Sequence, residues 1–92
     1  LEADFYQRLK PLVKTGKIKE LKIHPRYLLQ EGFTKNGKHY QPIYYIADFE
    51  VLYDDGVTVI YDTKGMRTEV YKIKRKLFEY KYPNKTIVEV DK

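Results

Sequence analysis

The sequence predicts an α+β domain whose elements follow one another in the order α-β-β-β-α-β. Three observations lead to this prediction. Apolar residues recur at helical spacing at the start of the chain and again in a lysine-rich segment after residue 67. The segment between them alternates as strands do, and it carries two hairpin signals, Asn36-Gly37 and Asp54-Asp55-Gly56. A short apolar run near the end of the chain supplies the fourth strand.

The first predicted helix covers Leu1–Thr15, with Gly16 placed as its C-terminal stop. Pro11 must kink this helix or split it, because proline lacks the backbone donor and clashes with the preceding turn. Glu2 and Asp4 lie in the first turn, where a favourable interaction with the helix dipole explains them without any further role. The apolar stripe of this helix is formed by Leu1, Phe5, Leu9 (or Arg8), Leu12 and Val13.

The first predicted strand covers Lys19–Phe33 and is irregular where Pro25 interrupts it. Pro25 indicates an edge or a bulge, because it cannot donate a hydrogen bond to a ladder. His24 is one of two histidines in the chain. It is either a metal ligand or a solvent-facing strand residue, and the second is the commoner case. Asn36-Gly37 then turns the chain into the second strand, His39–Tyr53.

The length of the next turn decides which residues face each other between the second strand and the third, Val57–Lys64. A two-residue turn would place Asp48 opposite Thr63, whereas a three-residue turn places Asp48 opposite Asp62. We predict the three-residue turn, because Gly56 stands at the position that favours a left-handed residue. This register puts Asp48 and Asp62 on one face of the hairpin and the apolar residues on the opposite, buried face. These apolar residues are Ala47, Phe49, Val51, Tyr53, Val57, Val59 and Tyr61.

The second predicted helix begins after the N-cap Thr68, continues to about Tyr82 and ends at Pro83-Asn84. Its inner stripe is predicted to be Val70, Ile73, Leu77 and Tyr80, flanked by Tyr71 and Phe78. Basic side chains crowd the remaining surface of this helix: Lys72, Lys74, Arg75, Lys76 and Lys81. The final predicted strand covers Thr86–Val90.

Composition excludes several classes of protein. The 92 residues make one domain, residues 1–92. The absence of cysteine excludes a disulfide scaffold and a cysteine-ligated zinc or iron–sulfur site, and it fits a reducing compartment. No apolar run approaches the roughly 18 residues that span a bilayer and no signal peptide is visible, so we expect no membrane partner and a cytoplasmic location. The net charge of +5 favours a polyanionic partner. The chain begins at Leu1 without a methionine, and we expect it to be a trimmed piece of a longer sequence.

Two acids and a lysine on neighbouring strands are the pattern of a metal-dependent phosphodiesterase site. Such a reaction needs a cation for the phosphoryl oxygens, a source of hydroxide and stabilisation of the leaving oxygen. Asp48 and Asp62 supply the carboxylates that Mg²⁺ (or Mn²⁺) prefers, and the Thr63 carbonyl is a candidate third ligand. Lys64 is a candidate either to orient the attacking water or to stabilise the charge of the transition state, and its positive charge would keep the two acids ionised. The alternative is structural, with strand-end aspartates at turns and an ordinary surface ion pair between Asp48 and Lys64.

This element order and these residues resemble the PD-(D/E)XK nuclease superfamily, whose core has the order α-β-β-β-α-β with its acids on the second and third strands. Ala47-Asp48 stands for the first half of the motif, with alanine in place of proline, and Asp62-Thr63-Lys64 stands for the second half. More narrowly, the segments Tyr45–Phe49, Asp62–Met66 and Tyr71–Phe78 resemble a phage-borne family of small domains. That family is grouped with this superfamily and compared with Holliday-junction resolvases. The resemblance covers nearly all of the chain.

The resemblance implies a restriction-endonuclease-like core, which is a mixed four-stranded sheet flanked by two helices. It also implies that Glu2, on the first helix, joins the metal ligands Asp48, Asp62 and Thr63. Lys72 and Lys76, one turn apart on the second helix, are expected to contact phosphates. The other candidate nucleic-acid contacts are Lys35, Lys38, Arg67 and Arg75, although lysines at a hairpin tip are usually just solvated.

Three functions are compatible with this sequence. The first is a Mg²⁺- or Mn²⁺-dependent DNA endonuclease that acts on branched or phage-replication DNA, encoded by a phage or prophage and working in the bacterial host cell. The second is a nuclease-derived DNA-binding or packaging-accessory module without turnover. The third is a protein-interaction adaptor that uses its tyrosine-rich surface. The paired acids favour the first, since a pure binder gains nothing from carboxylates that face DNA. Resolvase-like enzymes cut two strands as symmetric dimers, so a homodimer is expected.

Overall fold

The computed structural model describes residues 1–63 and 67–90. These residues form two helices, α1 (Glu2–Lys14) and α2 (Glu69–Lys81), and eight strands. The strands are β1 (Ile18–Ile23), β2 (Arg26–Gln30), β3 (Phe33–Lys35), β4 (Lys38–Tyr40), β5 (Ile43–Ile46), β6 (Phe49–Tyr53), β7 (Thr58–Asp62) and β8 (Thr86–Glu89). This is the α+β fold that the sequence predicts. Within the described ranges, neither helix is long and apolar enough to cross a membrane.

A mixed sheet of four strands forms the centre of the fold, in the order β1-β6-β7-β8. β6 is antiparallel to both β1 and β7, whereas β8 is parallel to β7. A parallel neighbour cannot be reached through a tight turn, and α2 lies in the crossover between β7 and β8. The predicted four-stranded mixed sheet with two helices is therefore confirmed.

The two long strands predicted for residues 19–33 and 39–53 are each divided into three. Their pieces pair antiparallel as β1–β6, β2–β5 and β3–β4, so one long hairpin extends from the sheet. Its outer part, residues 26–46, is called the arm below. The prediction of continuous strands is wrong at the breaks, two of which fall at Pro25 and Pro42, because proline has no N–H to donate. Pairing continues across the first break, where the Ala47 N–H donates to the Pro25 carbonyl at 3.1 Å.

The turn between β6 and β7 has the predicted three-residue length. Gly56 has a φ of 89°, and its N–H donates to the Tyr53 carbonyl at 3.0 Å. The Tyr53 N–H donates to the Val57 carbonyl at 2.9 Å, which closes the loop. The paired positions of β6 and β7 then follow the predicted register.

The regular ladder between β6 and β7 ends at Phe49, the residue that follows Asp48 in the chain. Phe49 pairs with Tyr61, and the Asp48 N–H donates to the carbonyl of this same Tyr61 at 3.2 Å. Two residues of one strand set against one residue of its neighbour is the arrangement of a bulge. The predicted direct opposition of Asp48 and Asp62 is therefore wrong at the level of the backbone, because the bulge takes Asp48 out of the alternation.

Hydrophobic cores lie on both faces of the sheet. The core on the α1 side contains Leu9, Ile18, Phe49 and Val51, and α1 stays helical through Pro11. The core on the α2 side contains Tyr27, Leu29, Tyr45, Ala47, Ile60, Tyr71, Phe78 and Ile87. The sequence prediction placed Ala47 on the same face as Phe49 and Val51. The structure places Ala47 in the other core, because the alternation is interrupted at the bulge.

The inner face of α2 differs from the predicted one. The predicted inner residues are solvent-exposed, with exposed fractions of 62% for Val70, 60% for Ile73, 38% for Leu77 and 90% for Tyr80. The buried residues are Tyr71 and Phe78. Phe78 packs edge-on against the rings of Tyr27 and Tyr45, with ring centroids 5.1 and 5.6 Å apart. Rings that fill the space above the sheet therefore decide the rotation of the helix. The predicted N-cap is correct, since the Thr68 Oγ1 accepts a bond from the Tyr71 N–H at 3.1 Å.

Candidate metal centre

Asp48 is held in place by bonds to its side chain and to its backbone. It is buried, and its Oδ2 accepts two bonds of 2.6 Å, one from the Thr63 N–H and one from the Thr63 hydroxyl. Its own carbonyl accepts a bond from the His24 N–H at 2.8 Å. The sequence prediction gave Thr63 a role as a ligand through its carbonyl. In the structure, its N–H and hydroxyl fix the orientation of the Asp48 carboxylate.

Glu2, His24 and Asp48 form a cluster in which one ligand atom of each residue lies within 4.8 Å of the other two. Glu2 lies in the first turn of α1, and His24 follows the end of β1. The His24 Nε2 and the Glu2 Oε2 are 2.9 Å apart. Three separate segments of the chain thus bring two carboxylates and an imidazole together. This set, called the triad below, can hold a divalent metal ion.

His24 is solvent-facing, as expected, with a side chain that is 55% exposed, and it also joins the triad. Its φ of 52° lies in the left-handed region, which histidine tolerates better than most residues do. This backbone conformation bends the chain between β1 and β2, where the imidazole reaches Glu2. The signal in the sequence was the histidine directly before the proline that interrupts the strand.

The chemistry of the donor set fits a divalent cation that accepts both oxygen and nitrogen ligands. Carboxylates suit Mg²⁺ and Mn²⁺, while an imidazole suits Zn²⁺ and other later transition metals. Two carboxylates with one imidazole therefore favour Mn²⁺ or a later metal over Mg²⁺, which keeps an all-oxygen shell where it can. Glu2 lies in the cluster as the resemblance implies, and His24 joins it in the ligand position that the sequence analysis ranked second.

Asp62 lies beside this cluster but is not part of the triad. It is 2% exposed, and its Oδ2 accepts a bond of 2.6 Å from the Tyr45 hydroxyl. Burial raises the pKa of Tyr45, and the hydrogen bond to Asp62 and the charges of Asp62 and Asp48 raise it further. Tyr45 therefore remains protonated and donates. The negative charges of Asp48 and Asp62 both raise the pKa of Tyr45, so both carboxylates lie near its hydroxyl. Lys64, the predicted catalytic lysine, falls outside the described residues.

A basic groove runs along α2, next to the strand that ends at Asp62. It has a volume of about 400 Å³ and is lined by Arg67, Tyr71, Lys72, Arg75, Lys76, Glu79 and Glu89. The structure therefore brings four of the predicted nucleic-acid contacts together: Arg67, Lys72, Arg75 and Lys76. The other two, Lys35 and Lys38, lie at the end of the arm.

Glu89 organises the charges of this groove. It pairs with Asp62 between the parallel strands β7 and β8. Its carboxylate accepts bonds of 2.7 Å from the Tyr71 hydroxyl, from Arg67 and from Arg75. The bond from Tyr71, followed by those from the two guanidinium groups, lowers the pKa of Glu89 to about 2. Glu89 is therefore ionised at neutral pH, and it offsets part of the charge of Arg67 and Arg75.

A family model described as "Protein of unknown function (DUF1064)" matches residues 1–92. This chain belongs to the DUF1064 family. No curated protein and no solved structure matches it. Because the family's description names no activity, the function of this DUF1064 domain has to be inferred from the chemistry of the triad and of the basic groove.

Proposed function

We propose that this DUF1064 domain is a divalent-metal-dependent endonuclease that hydrolyses phosphodiester bonds in DNA. The observation that carries this proposal is the meeting of Glu2, His24 and Asp48, with ligand atoms within 4.8 Å of one another. The buried Asp48 is held by two bonds from Thr63, and a fixed orientation of this kind is what a binding site requires. The resemblance to PD-(D/E)XK nucleases supports the reaction class.

Mg²⁺ or Mn²⁺, when bound, would neutralise the phosphoryl oxygens and lower the pKa of a bound water. The residues of the chain have separate tasks around it. Thr63 fixes Asp48, while Glu2 and His24 complete the donor set from more exposed positions. Tyr45 hydrogen-bonds to Asp62, and Lys64 is the residue that we propose to orient the attacking water.

DNA is supported as the substrate by the charge beside the site. The basic groove holds four cationic side chains against the carboxylates of Glu79 and Glu89, which leaves a net charge of +2. β8, which carries Glu89, pairs directly with the end of β7, which carries Asp62. A phosphate backbone bound in this groove would thus run past the acids. Contacts of this kind set the position of the DNA and the salt dependence of binding, but they do not read its sequence.

We further propose that two copies of the chain pair through α2. The exposed side chains Val70, Ile73, Leu77 and Tyr80 are spaced three, four and three residues apart, which is the spacing of a two-helix seam. A second copy of the chain is the proposed occupant of this face, because in an isologous pairing the same four apolar side chains of both copies would cover one another.

The dimer is tested by light scattering after gel filtration over a range of protein concentrations. We expect a concentration-dependent dimer, and we expect Ile73→Glu to give a monomer. Val57→Glu is the matched control, because Val57 is also half-exposed and apolar but lies at the β6–β7 turn. A wild-type protein that stays monomeric at every concentration would rule out this interface.

The nuclease proposal is tested with a panel of linear, nicked, flap and four-way DNA, incubated with Mg²⁺ or with Mn²⁺. We expect cleavage by the wild-type protein and a loss of at least about 100-fold in Asp48→Asn and in Asp62→Ala. Asp54→Ala is the control, since this exposed aspartate lies at the turn of the same hairpin, outside the triad. An intact wild-type protein that cleaves none of these substrates with either metal contradicts the proposal.

A DNA-binding module without turnover is the second candidate. It is favoured by one observation, namely that Asp62 stands outside the triad and accepts a hydrogen bond from Tyr45. This candidate predicts salt-dependent DNA binding that is insensitive to Asp62→Ala, and no cleavage of any substrate in the panel. The same set of samples therefore distinguishes the two functions.

A further inference from the structure

The end of the arm, residues 33–40, presents an unusual surface. β3 and β4 pair antiparallel around the Asn36-Gly37 turn, and every residue of both strands is exposed. Neither hydrophobic core includes a residue of these two strands. A two-stranded hairpin without a buried face is marginally stable in water. This segment, called the hairpin tip below, therefore adds little to the stability of the fold and extends away from it.

Two aromatic rings are stacked on each other at the hairpin tip. Phe33 and Tyr40 are directly paired across the strands, with ring centroids 4.8 Å apart and ring planes 11° from parallel. Phe33 is 43% exposed and Tyr40 is 40% exposed. The Lys38 Nζ lies over the ring of Tyr40, 5.1 Å from its centroid. The result is a partly exposed stack of two rings with a cation over the Tyr40 ring, and the outer face of Phe33 is the face on which a further flat group can stack.

Two lysines face each other at the end of the same hairpin. Lys35 pairs with Lys38 across the turn, and like charges in directly opposed positions destabilise a strand pair. Asn36 and Gly37, with φ values of 51° and 75°, hold the tight turn that fixes this opposition. An anion bound between the two ammonium groups would relieve their repulsion. A phosphate is an anion of suitable size and charge.

We propose that the hairpin tip binds unpaired nucleotides of DNA, with a base stacked on the Phe33–Tyr40 pair and the adjacent phosphate between Lys35 and Lys38. Stacking on an aromatic ring needs a base whose face is open, and in an intact duplex the neighbouring bases cover that face. The substrate class is therefore DNA with single-stranded segments, such as flaps, gaps or open junctions. This inference rests on the proposed function only for the choice of DNA. A protein partner for the tip is the competing outcome.

Binding is measured in EDTA, so that cleavage cannot interfere, by fluorescence anisotropy of labelled DNA. The probes are a 20-nucleotide single strand, the matching blunt duplex and a flap. We expect Phe33→Leu/Tyr40→Leu to weaken binding of the single strand and of the flap about tenfold, with less than a twofold change for the duplex. Leucine keeps an apolar side chain at both positions but has no flat face. Phe33→Tyr/Tyr40→Phe is the matched control, because it exchanges the two residues and keeps both rings.

The lysines are tested in a separate variant. Lys35→Gln/Lys38→Gln should weaken binding of all single-stranded probes and lower the slope of log affinity against log salt by about 1.4, for two phosphate contacts. This variant keeps both rings, although it removes the cation that lies over Tyr40. It decides the question if circular dichroism finds that the leucine variant does not fold.

Several results would overturn the inference. One is a leucine variant that binds every probe as the wild-type protein does, and another is an equal loss on single strands and duplex. Absence of binding to any DNA at low salt would also overturn it and leave a protein partner for the tip. If DNA binding depends on the hairpin tip but the protein cleaves no substrate with either metal, this inference stands and the nuclease proposal is refuted. If the protein cleaves every substrate and the tip variants change neither cleavage nor binding, the nuclease proposal stands and this inference is refuted.

Discussion

Glu89→Gln removes a negative charge from the basic groove, where three side chains donate hydrogen bonds to the Glu89 carboxylate. The carboxylate accepts bonds of 2.7 Å from Tyr71, Arg67 and Arg75, and its side chain is 21% exposed. Glutamine keeps the shape and can still accept a bond from the Tyr71 hydroxyl. It loses the attraction to the two guanidinium groups. The substitution therefore separates the charge of Glu89 from its size.

The expected loss of stability follows from the pKa of Glu89, which is about 2 against an ordinary value of 4.5. At about 1.4 kcal/mol per pKa unit, this difference corresponds to about 3 kcal/mol of folding free energy. Partial exposure screens the charges, so we expect about 2 kcal/mol at pH 7. Because the pKa is lowered in the folded state, this contribution is fully present above pH 4.5 and disappears as the pH falls towards about 2.

The assay is urea denaturation of the wild-type protein and of Glu89→Gln between pH 7 and pH 2.5. We expect the difference in unfolding free energy between them to be about 2 kcal/mol at pH 7 and to shrink steadily below about pH 5. Glu79→Gln is the control, since Glu79 is 44% exposed and its closest atom to Arg75 is 3.9 Å away. We expect about 0.5 kcal/mol or less for this pair at every pH.

A difference between Glu89→Gln and wild type that stays constant from pH 7 to pH 2.5 would refute the reasoning. So would a difference at pH 7 no larger than that of Glu79→Gln. Either result would mean that the bonds to Glu89 do not favour its ionised form in the folded protein. If the reasoning holds, the same variant removes one negative charge from the basic groove, and its DNA affinity should rise and depend more steeply on salt.

Three further predictions concern the hairpin and the triad. Tyr45→Phe removes the buried 2.6 Å bond to Asp62, and urea denaturation should report a loss of about 1.5–3 kcal/mol. Gly56 has a φ of 89°, so Gly56→Ala should lower the unfolding free energy by about 1–2 kcal/mol in the same assay. Gly56→Asn should lower it less, because asparagine tolerates this conformation. Equal losses in the two variants would contradict the argument. In His24→Asn, the new asparagine also tolerates the positive φ at this position. We expect this variant to lose any rise in the melting temperature that Mn²⁺ causes in the wild-type protein. An unchanged rise would exclude His24 as a ligand.

The turn chemistry was readable from the sequence because it is local. Gly56 at the end of a three-residue loop fixed the register of β6 and β7, and Thr68 marked the start of α2. A glycine tolerates a positive φ and a threonine hydroxyl caps a helix whatever lies far away in the chain. The α+β class followed from the order of these local elements, whereas the mixed sheet was implied by the resemblance.

The rotation of α2 could not be read in the same way. Val70, Ile73 and Leu77 form the more regular apolar stripe, yet the structure buries Tyr71 and Phe78. Both stripes are amphipathic, so the choice depends on which side chains fill the space above the sheet. That space is shaped by rings from the distant strands β2 and β5, and no local pattern encodes their size.

The candidate site was predicted in part for the same reason. Spacing along two neighbouring strands brought out Asp48 and Asp62, and the resemblance added Glu2. His24 was considered as a metal ligand but ranked below a solvent-facing role, since its place beside Glu2 depends on a left-handed residue where β1 ends and on the packing of α1 against β1. The bulge at Asp48 likewise depends on how β1, β5 and β6 meet.

By itself, the sequence determined the fold class, the turns, the helix cap and the two strands that carry the acids, because each depends on residues close together in the chain. Only the tertiary structure decided which face of α2 is buried, that the long hairpin breaks into an arm, and that a histidine and a helix-start glutamate meet Asp48. Those outcomes depend on packing between segments far apart in the chain, where shape and space select among patterns that are locally equivalent.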